Sequence, residues 1–227
     1  MRKARVLLAE DHTIVAEGLK SLLKDEVELI GTVGDGHALV EAAERLKPDV
    51  VVADISMPLL NGLDAVRQLK RKRLSTRVIF LTMHPEVLLA KEAFRAGASG
   101  YLLKHSAGKE LILAIRQVAE GRSYVTPLIA EDASTFLIDA ARHSKRLTSA
   151  LTPRQREVLQ LVAEGQSMKQ VAFVLDISSR TAEAHKYQIM EKLGVQTTAE
   201  LVQYAVKIGL VSVSSEPPEQ AQQGGFN

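Results

Sequence analysis

The chain of 227 residues contains no cysteine. That excludes disulfide frameworks, thiolate zinc sites and thiol nucleophiles together. It also lacks a long apolar run: stretches such as Val50–Ala53 and Val78–Leu81 are only a few residues long, far short of the ~20 needed to span a bilayer. The first residues, Met1-Arg2-Lys3-Ala4-Arg5, are basic but lead directly into a strand-like run rather than the apolar core of a signal peptide. The expectation is a soluble, cytoplasmic protein without membrane association. A strong basic excess is missing as well. Net charge is +2 over residues 1–121, +1 over 122–150, +1 over 151–210 and −2 over the last 17 residues. Composition alone therefore does not announce nucleic-acid binding, and any such function must rest on motif and geometry.

What is present falls into two patterns. Over residues 1–121, Val6–Ala9, Val50–Ala53 and Val78–Leu81 are all-apolar quartets, as strands buried on both faces of a parallel sheet require. Leu29–Val33 and Tyr101–Leu103 are weaker strand candidates. Helical periodicity fills the gaps, near 13–24, 37–46, 63–72, 86–96 and 109–120. Five successive strand–helix units predict a doubly wound α/β domain with a five-stranded parallel sheet. Residues 122–149 read as a linker with an amphipathic piece (Leu128, Ile129, Phe136, Leu137, Ile138).

Beyond residue 150 the pattern is helical only. Thr152…Gln155, Ser167…Gln170 and Thr197…Glu200 each fit a reciprocal capping box. Pro153 suits a first helical turn, and Gly165, Gly194 and Gly209 suit left-handed helix ends. Four helices are predicted, near 153–164, 168–175, 179–193 and 198–208, forming a small all-α module over 150–211. The tail, 212–227, is rich in Pro, Gln, Gly and Ser and reads as disordered.

Open parallel sheets carry function beyond the carboxyl ends of their strands. Those positions hold Glu10 and Asp11 after the first strand, Asp54 after the third, Thr82 after the fourth and Lys104 after the fifth. Crowded carboxylates invite a hard divalent cation such as Mg²⁺. A carboxylate can also attack phosphorus to form an acyl phosphate, with cations neutralising the phosphoryl oxygens. Two other phosphate chemistries fail on spacing. An aspartyl-phosphate hydrolase needs a second acid two residues after its nucleophile, where Ser56 stands. Gly31-Thr-Val-Gly-Asp-Gly36 is not a dinucleotide-binding loop and reads as a strand-to-helix turn.

Glu10-Asp11, Asp54 with Met57-Pro58 and Gly62, Thr82, and Tyr101-Leu-Leu-Lys104 together resemble the receiver domain of a two-component response regulator. The resemblance implies a flavodoxin-like fold in which Asp54 accepts phosphate from a sensor histidine kinase. It implies Mg²⁺ held by Asp11, by Glu10 through water, by Asp54 and by the Ser56 carbonyl. Thr82 and Lys104 would contact the phosphoryl group, and Tyr101 would turn inward when Thr82 moves. Glu10 stands where the pattern often has Asp.

In the helical module, Leu151-Thr-Pro-Arg-Gln-Arg-Glu-Val-Leu159, Ala163-Glu-Gly165, Ser178-Ser-Arg-Thr181, His185 and Lys192-Leu-Gly-Val195 resemble the LuxR-type DNA-binding domain. Joined to a receiver, this is the NarL/FixJ class of transcriptional regulators. A helix–turn–helix places its second helix in the major groove of double-stranded DNA. Periodicity puts Ala182, Ile189 and Leu193 on the packed stripe. Glu183, Ala184 and Tyr187 are expected to face the bases, with Arg180 and Thr181 at the helix start. Ser167, Lys169, Lys186 and Lys192 are suited to phosphates. Met168, Ala182 and Glu183 depart from the common pattern of that domain. The stripe Leu201, Val202, Tyr204, Ala205, Ile208 serves either dimerisation or packing, and a homodimer is expected upon phosphorylation. His12 and His84 border the acidic rim as surface or packing residues, with His84 placed to tune phosphate lifetime. Lys70–Arg73 reads as cations facing a helix dipole. Two other functional classes remain open: a signalling adaptor whose helices bind protein, and a metabolic enzyme. The latter lacks a second acid and a substrate pocket.

Overall fold

The computed structural model describes residues 2–129, 151–208, 210 and 211. The amino-terminal module alternates β1 (Arg5–Ala9), α1 (Thr13–Leu23), β2 (Glu28–Val33), α2 (Gly36–Leu46), β3 (Val50–Ala53), α3 (Gly62–Arg71), β4 (Arg77–Thr82), α4 (Val87–Ala96), β5 (Gly100–Leu103) and α5 (Ala107–Ala119). The sheet is parallel, in the order β2-β1-β3-β4-β5 and then a sixth strand, β6 (Tyr124–Val125). The apolar quartets are legible as strands because successive side chains alternate faces. Val6, Leu8, Val50, Val52, Ile79 and Leu81 pack with α1 and α5. Leu7, Ala9, Val51, Ala53, Val78 and Phe80 pack with α2, α3 and α4.

The sixth strand corrects the five-stranded expectation and places residues 124–125 in the sheet instead of a linker. Gly121, at φ +92°, turns the chain after α5. Tyr124 N–H then donates to Ser99 O at 3.1 Å and Thr126 N–H to Tyr101 O at 3.0 Å. Glu110 on α5 accepts from Tyr124 Oη and Thr126 Oγ1, both at 3.1 Å. This covers the β5 edge, which would otherwise expose unpaired backbone groups. Ile129 is buried in the core while Leu128 is half exposed; Phe136, Leu137 and Ile138, like the tail and Gly209, lie outside the described residues.

The second module comprises α6 (Pro153–Ala163), α7 (Met168–Val174), α8 (Ser179–Leu193) and α9 (Thr198–Lys207). Thr152/Gln155 and Ser167/Gln170 form the full reciprocal boxes. At the third site Thr197 caps Glu200 N–H, but the Glu200 carboxylate reaches one residue further back, to Gln196 N–H at 2.8 Å. Gly165 and Gly194 take positive φ as expected. Ala182, Ile189, Leu201 and Ala205 are buried in the module's core, with Leu193, Tyr204 and Ile208 packed against it. Most of the α9 stripe is therefore used within its own module. No described helix is long and apolar enough to cross a membrane.

Candidate functional site

The β1–β3 boundary is where connections leave the sheet in opposite directions, the crevice at which doubly wound folds bind ligands. Glu10 and Asp54 lie there, 4% and 6% exposed. Lys104, from the end of β5, bridges them: its Nζ is 2.8 Å from Glu10 Oε2 and 2.7 Å from Asp54 Oδ2. Burial works against the Lys104 charge. The charge and hydrogen bond of Asp54, with those of Glu10, outweigh it and hold the ammonium above its ordinary value of 10.5. The other Asp54 oxygen, Oδ1, accepts from Ile55 N–H at 2.6 Å and Ser56 N–H at 3.3 Å. Side-chain donor atoms of Glu10, Asp11, His12 and Asp54 all lie within 4.8 Å of one another. Hard oxygen donors on one rim, with Asp11 open to solvent, suit a divalent cation of the magnesium type. His12 Nδ1 sits 3.0 Å from Asp11 Oδ1 and 3.2 Å from Glu10 Oε1.

Gly62 permits this crowding. A Cβ there would stand 2.2 Å from the Asp54 carbonyl oxygen. Thr82 is fully buried, and its Oγ1 accepts from His84 N–H at 3.2 Å. The Ser56 hydroxyl and His84 Nε2 are 3.3 Å apart. Tyr101, expected to turn inward upon phosphorylation, occupies the inward position in this structure. It is already fully buried, with its hydroxyl donating to His84 O at 2.8 Å and its ring in the core. Burial, with the nearby charges of Glu86 and Asp54, pushes its phenol far above the ordinary range. A satisfied hydroxyl and a packed ring make the inward position self-sufficient.

In α8 the outward face is open. Arg180, Thr181, Glu183, Ala184 and Tyr187 are exposed, Tyr187 by 68%, and Lys186 is half-buried. Ser167 and Lys169 are exposed near the start of α7. Lys192 is exposed too, although its Nζ donates to Gln155 Oε1 at 2.9 Å, tying α8 to the α6 cap. The Lys70–Arg73 run is partly structural: Lys70 donates to Thr76 O at 3.2 Å and Lys72 pairs with Glu44 at 2.6 Å.

Sequence reasoning missed a polar seam between the two modules. Arg156 bonds Asp64 through Nε at 3.0 Å to both carboxylate oxygens and through Nη2 at 2.8 Å. Gln160, fully buried, accepts from Asn61 N–H at 2.8 Å and donates to Met57 O at 2.8 Å. Glu164 accepts from Leu59 N–H at 3.2 Å. Burial alone would raise the Asp64 carboxyl; Arg156, then Arg67 and Asn61, reverse this and hold it below 3.8. Glu164 goes the other way: burial lifts it above 4.5 despite the bonds from Gln160 and Leu59. The available signal was the spacing of Arg156, Gln160 and Glu164 at i, i+4 and i+8, a polar row along one side of a helix.

Comparison with known proteins agrees with this division. Residues 6–116 match the response regulator receiver domain, and residues 149–205 match the luxR family of bacterial regulatory proteins. The transcriptional regulatory protein MctR of Rhizobium johnstonii is 37% identical over 214 residues, covering 92% of this chain and 96% of that protein. The chain is a response regulator with a luxR-family output module. The oxygen regulatory protein NreC of Staphylococcus aureus is 36% identical, covering 89% of this response regulator and 97% of NreC. Among solved structures, the Salmonella typhimurium RcsB response regulator superposes with a TM-score of 0.63 at 28% identity, covering 92% of this chain and 99% of that one. An RcsB–DNA complex matches at a TM-score of 0.56 and 27% identity, covering 89% and 98%. The family is one of transcriptional regulators rather than metabolic enzymes.

Proposed function

We propose that this response regulator is a phosphorylation-controlled, DNA-binding transcription factor of the cytoplasm with Asp54 as its phosphoacceptor. The observation that carries the reading is the Glu10–Lys104–Asp54 bridge beside Asp11. It presents one Asp54 oxygen to a cation and the other to backbone donors. An Asp54 oxygen attacks the phosphorus of a phosphohistidine on a sensor kinase. The new O–P bond forms as the P–N bond breaks, and the departing imidazole nitrogen takes up a proton from solvent. Glu10, Asp11, Asp54 and the Ser56 carbonyl are the residues that would hold Mg²⁺, which supplies neutralisation of phosphoryl charge when bound. Lys104 and the Thr82 hydroxyl stabilise the same oxygens.

The output module binds double-stranded DNA through α8, with Glu183, Ala184 and Tyr187 toward the bases. Ser167, Lys169, Lys186 and Lys192 lie toward phosphates, with Arg180 and Thr181 at the start of the DNA-binding helix. The relatedness to the DNA-bound RcsB structure supports DNA binding by the output module. With a module charge of only +1, useful affinity requires two modules on adjacent half-sites, hence a phosphorylated homodimer. The test is DNA affinity with and without a small acyl-phosphate donor, for the native chain and Asp54→Asn. The donor tightens binding in the native chain only; equal tightening in both overturns the proposal.

A further inference from the structure

We infer that Glu183 makes α8 demand a cytosine at one position of each DNA half-site, chiefly by penalising the other bases. This rests on the proposed DNA-binding reading and adds which base that helix selects. The side chains opposite the buried Ala182 and Ile189 are Arg180, Glu183, Ala184, Tyr187 and Glu191, all of them exposed. Ser178 caps the helix by accepting from Thr181 N–H, so the row starts at a well-formed first turn. Glu183 lies in the amino-terminal half of α8, the part of a recognition helix that reaches base edges. Glu191 lies toward the far end. Among the described residues Glu183 joins no hydrogen bond or ion pair. Arg180 stands three residues before it, the spacing at which Arg154 pairs with Glu157 at 2.9 Å in α6, yet these two side chains stay apart. The carboxylate is presented bare on the reading face.

An ionised carboxylate accepts hydrogen bonds and donates none. Duplex DNA carries about one negative charge per 1.7 Å of its axis. A module of net charge +1 is attracted to it only weakly, so an acid on the reading face costs affinity wherever it meets no donor. In the major groove guanine offers N7 and O6, and thymine O4, all acceptors that oppose the carboxylate lone pair to lone pair. Adenine sets its N6 donor beside the N7 acceptor. Cytosine alone shows a donor, N4, with no acceptor next to it on the same base. Over any other base the carboxylate loses water without gaining a partner, and an unpaired desolvated group costs more than a formed hydrogen bond contributes. Glu183 thus acts more by exclusion than by attraction.

Selection of bound duplexes from a random pool tests this with the full-length chain, with and without an acyl-phosphate donor. The native chain selects cytosine at one position of the half-site where Glu183→Ala selects no base, and the other positions agree between the two. Competition titrations then compare four duplexes that differ at that position. The native chain binds the cytosine duplex roughly 5- to 150-fold more tightly than the other three. Glu183→Ala levels the four, and it binds the three disfavoured duplexes more tightly than the native chain does. That gain marks a removed penalty, which a loss of packing would not produce. Glu183→Gln moves the preference to adenine, whose N6 and N7 match the amide. Identical base selection by native and Glu183→Ala chains, or disfavoured duplexes bound no better by Glu183→Ala, overturns the inference while leaving DNA binding intact. A native chain that retains no duplex from the pool fails the DNA-binding reading itself, and the inference with it.

Discussion

Replacing Lys104 with Met tests how much of the receiver's stability depends on its buried charges. Lys104 Nζ sits within 2.8 Å of Glu10 and 2.7 Å of Asp54, whose side chains are 1% and 7% exposed. Removing it leaves two carboxylates facing each other with little water. Breaking a buried ion pair by deleting one partner costs about 3–5 kcal/mol. Asp54 keeps the Ile55 amide and Glu10 keeps the His12 amide at 3.2 Å, which points to the lower end, about 3 kcal/mol. Urea denaturation in the presence of EDTA, followed by circular dichroism, measures the loss. The control is Lys20→Met, which removes an exposed pair with Glu17 and costs about 0.5 kcal/mol or less. Magnesium then separates this account from simple packing loss. Since Lys104 and the cation neutralise the same carboxylates, Mg²⁺ stabilises Lys104→Met more than the native chain; at ten- to hundredfold excess over its Kd the variant gains about 1.4–2.7 kcal/mol. A loss below about 1 kcal/mol without metal, or an equal response to Mg²⁺ in both proteins, refutes the reasoning.

Gly62→Ala forces a Cβ to within 2.2 Å of the Asp54 carbonyl; thermal denaturation should show a loss of about 2–3 kcal/mol, with slower labelling of Asp54 by a phosphoryl donor. Thr152→Ala removes one half of the α6 capping box and lowers output-module stability by about 1 kcal/mol, read by amide exchange in α6. Docking of the modules depends on pH in two senses. Asp64, held below 3.8, contributes docking stability that is complete above that value and is lost as pH falls through its lower docked value. Glu164, raised above 4.5 by burial, favours the docked state increasingly as pH falls toward 4.5. Protection of the Asn61 amide, corrected for intrinsic exchange, should therefore rise on mild acidification and be lost as pH falls below 3.8 through the lower docked value of Asp64. In DNA titrations, Lys169→Ala should flatten the slope of log affinity against log salt by about one. Tyr187→Ala should instead weaken binding unevenly among base sequences.

Much of the fold was legible because local signals agreed. All-apolar quartets between helical periods read as strands covered on both sides, and α6 and α7 begin where the expected capping boxes stand. The rim was legible for a similar reason: Glu10, Asp54 and Lys104 each follow a strand and Thr82 ends one, and parallel strands deliver their ends to one edge. What escaped depends on contacts across long separations. β6 is only two residues, too short for any period, and exists because Gly121 turns the chain back along β5. Asp64, the third residue after the cap Asn61, reads as helix-terminal charge; its partner Arg156 lies 92 positions away. Tyr101 was placed by its environment rather than by its neighbours in sequence. Its hydroxyl finds the His84 carbonyl, an acceptor that no pattern of residue types advertises.

The central claim is that the carboxylate bridged by Lys104 becomes covalently phosphorylated. Peptide mapping after treatment with a small acyl-phosphate donor and Mg²⁺ addresses it directly. The account predicts a single phosphoryl group, labile to hydroxylamine, on the peptide bearing Asp54, and none when Mg²⁺ is chelated or Asp54 is Asn. A stable label on a hydroxyl side chain, or equal labelling of the Asp54→Asn protein, would contradict it.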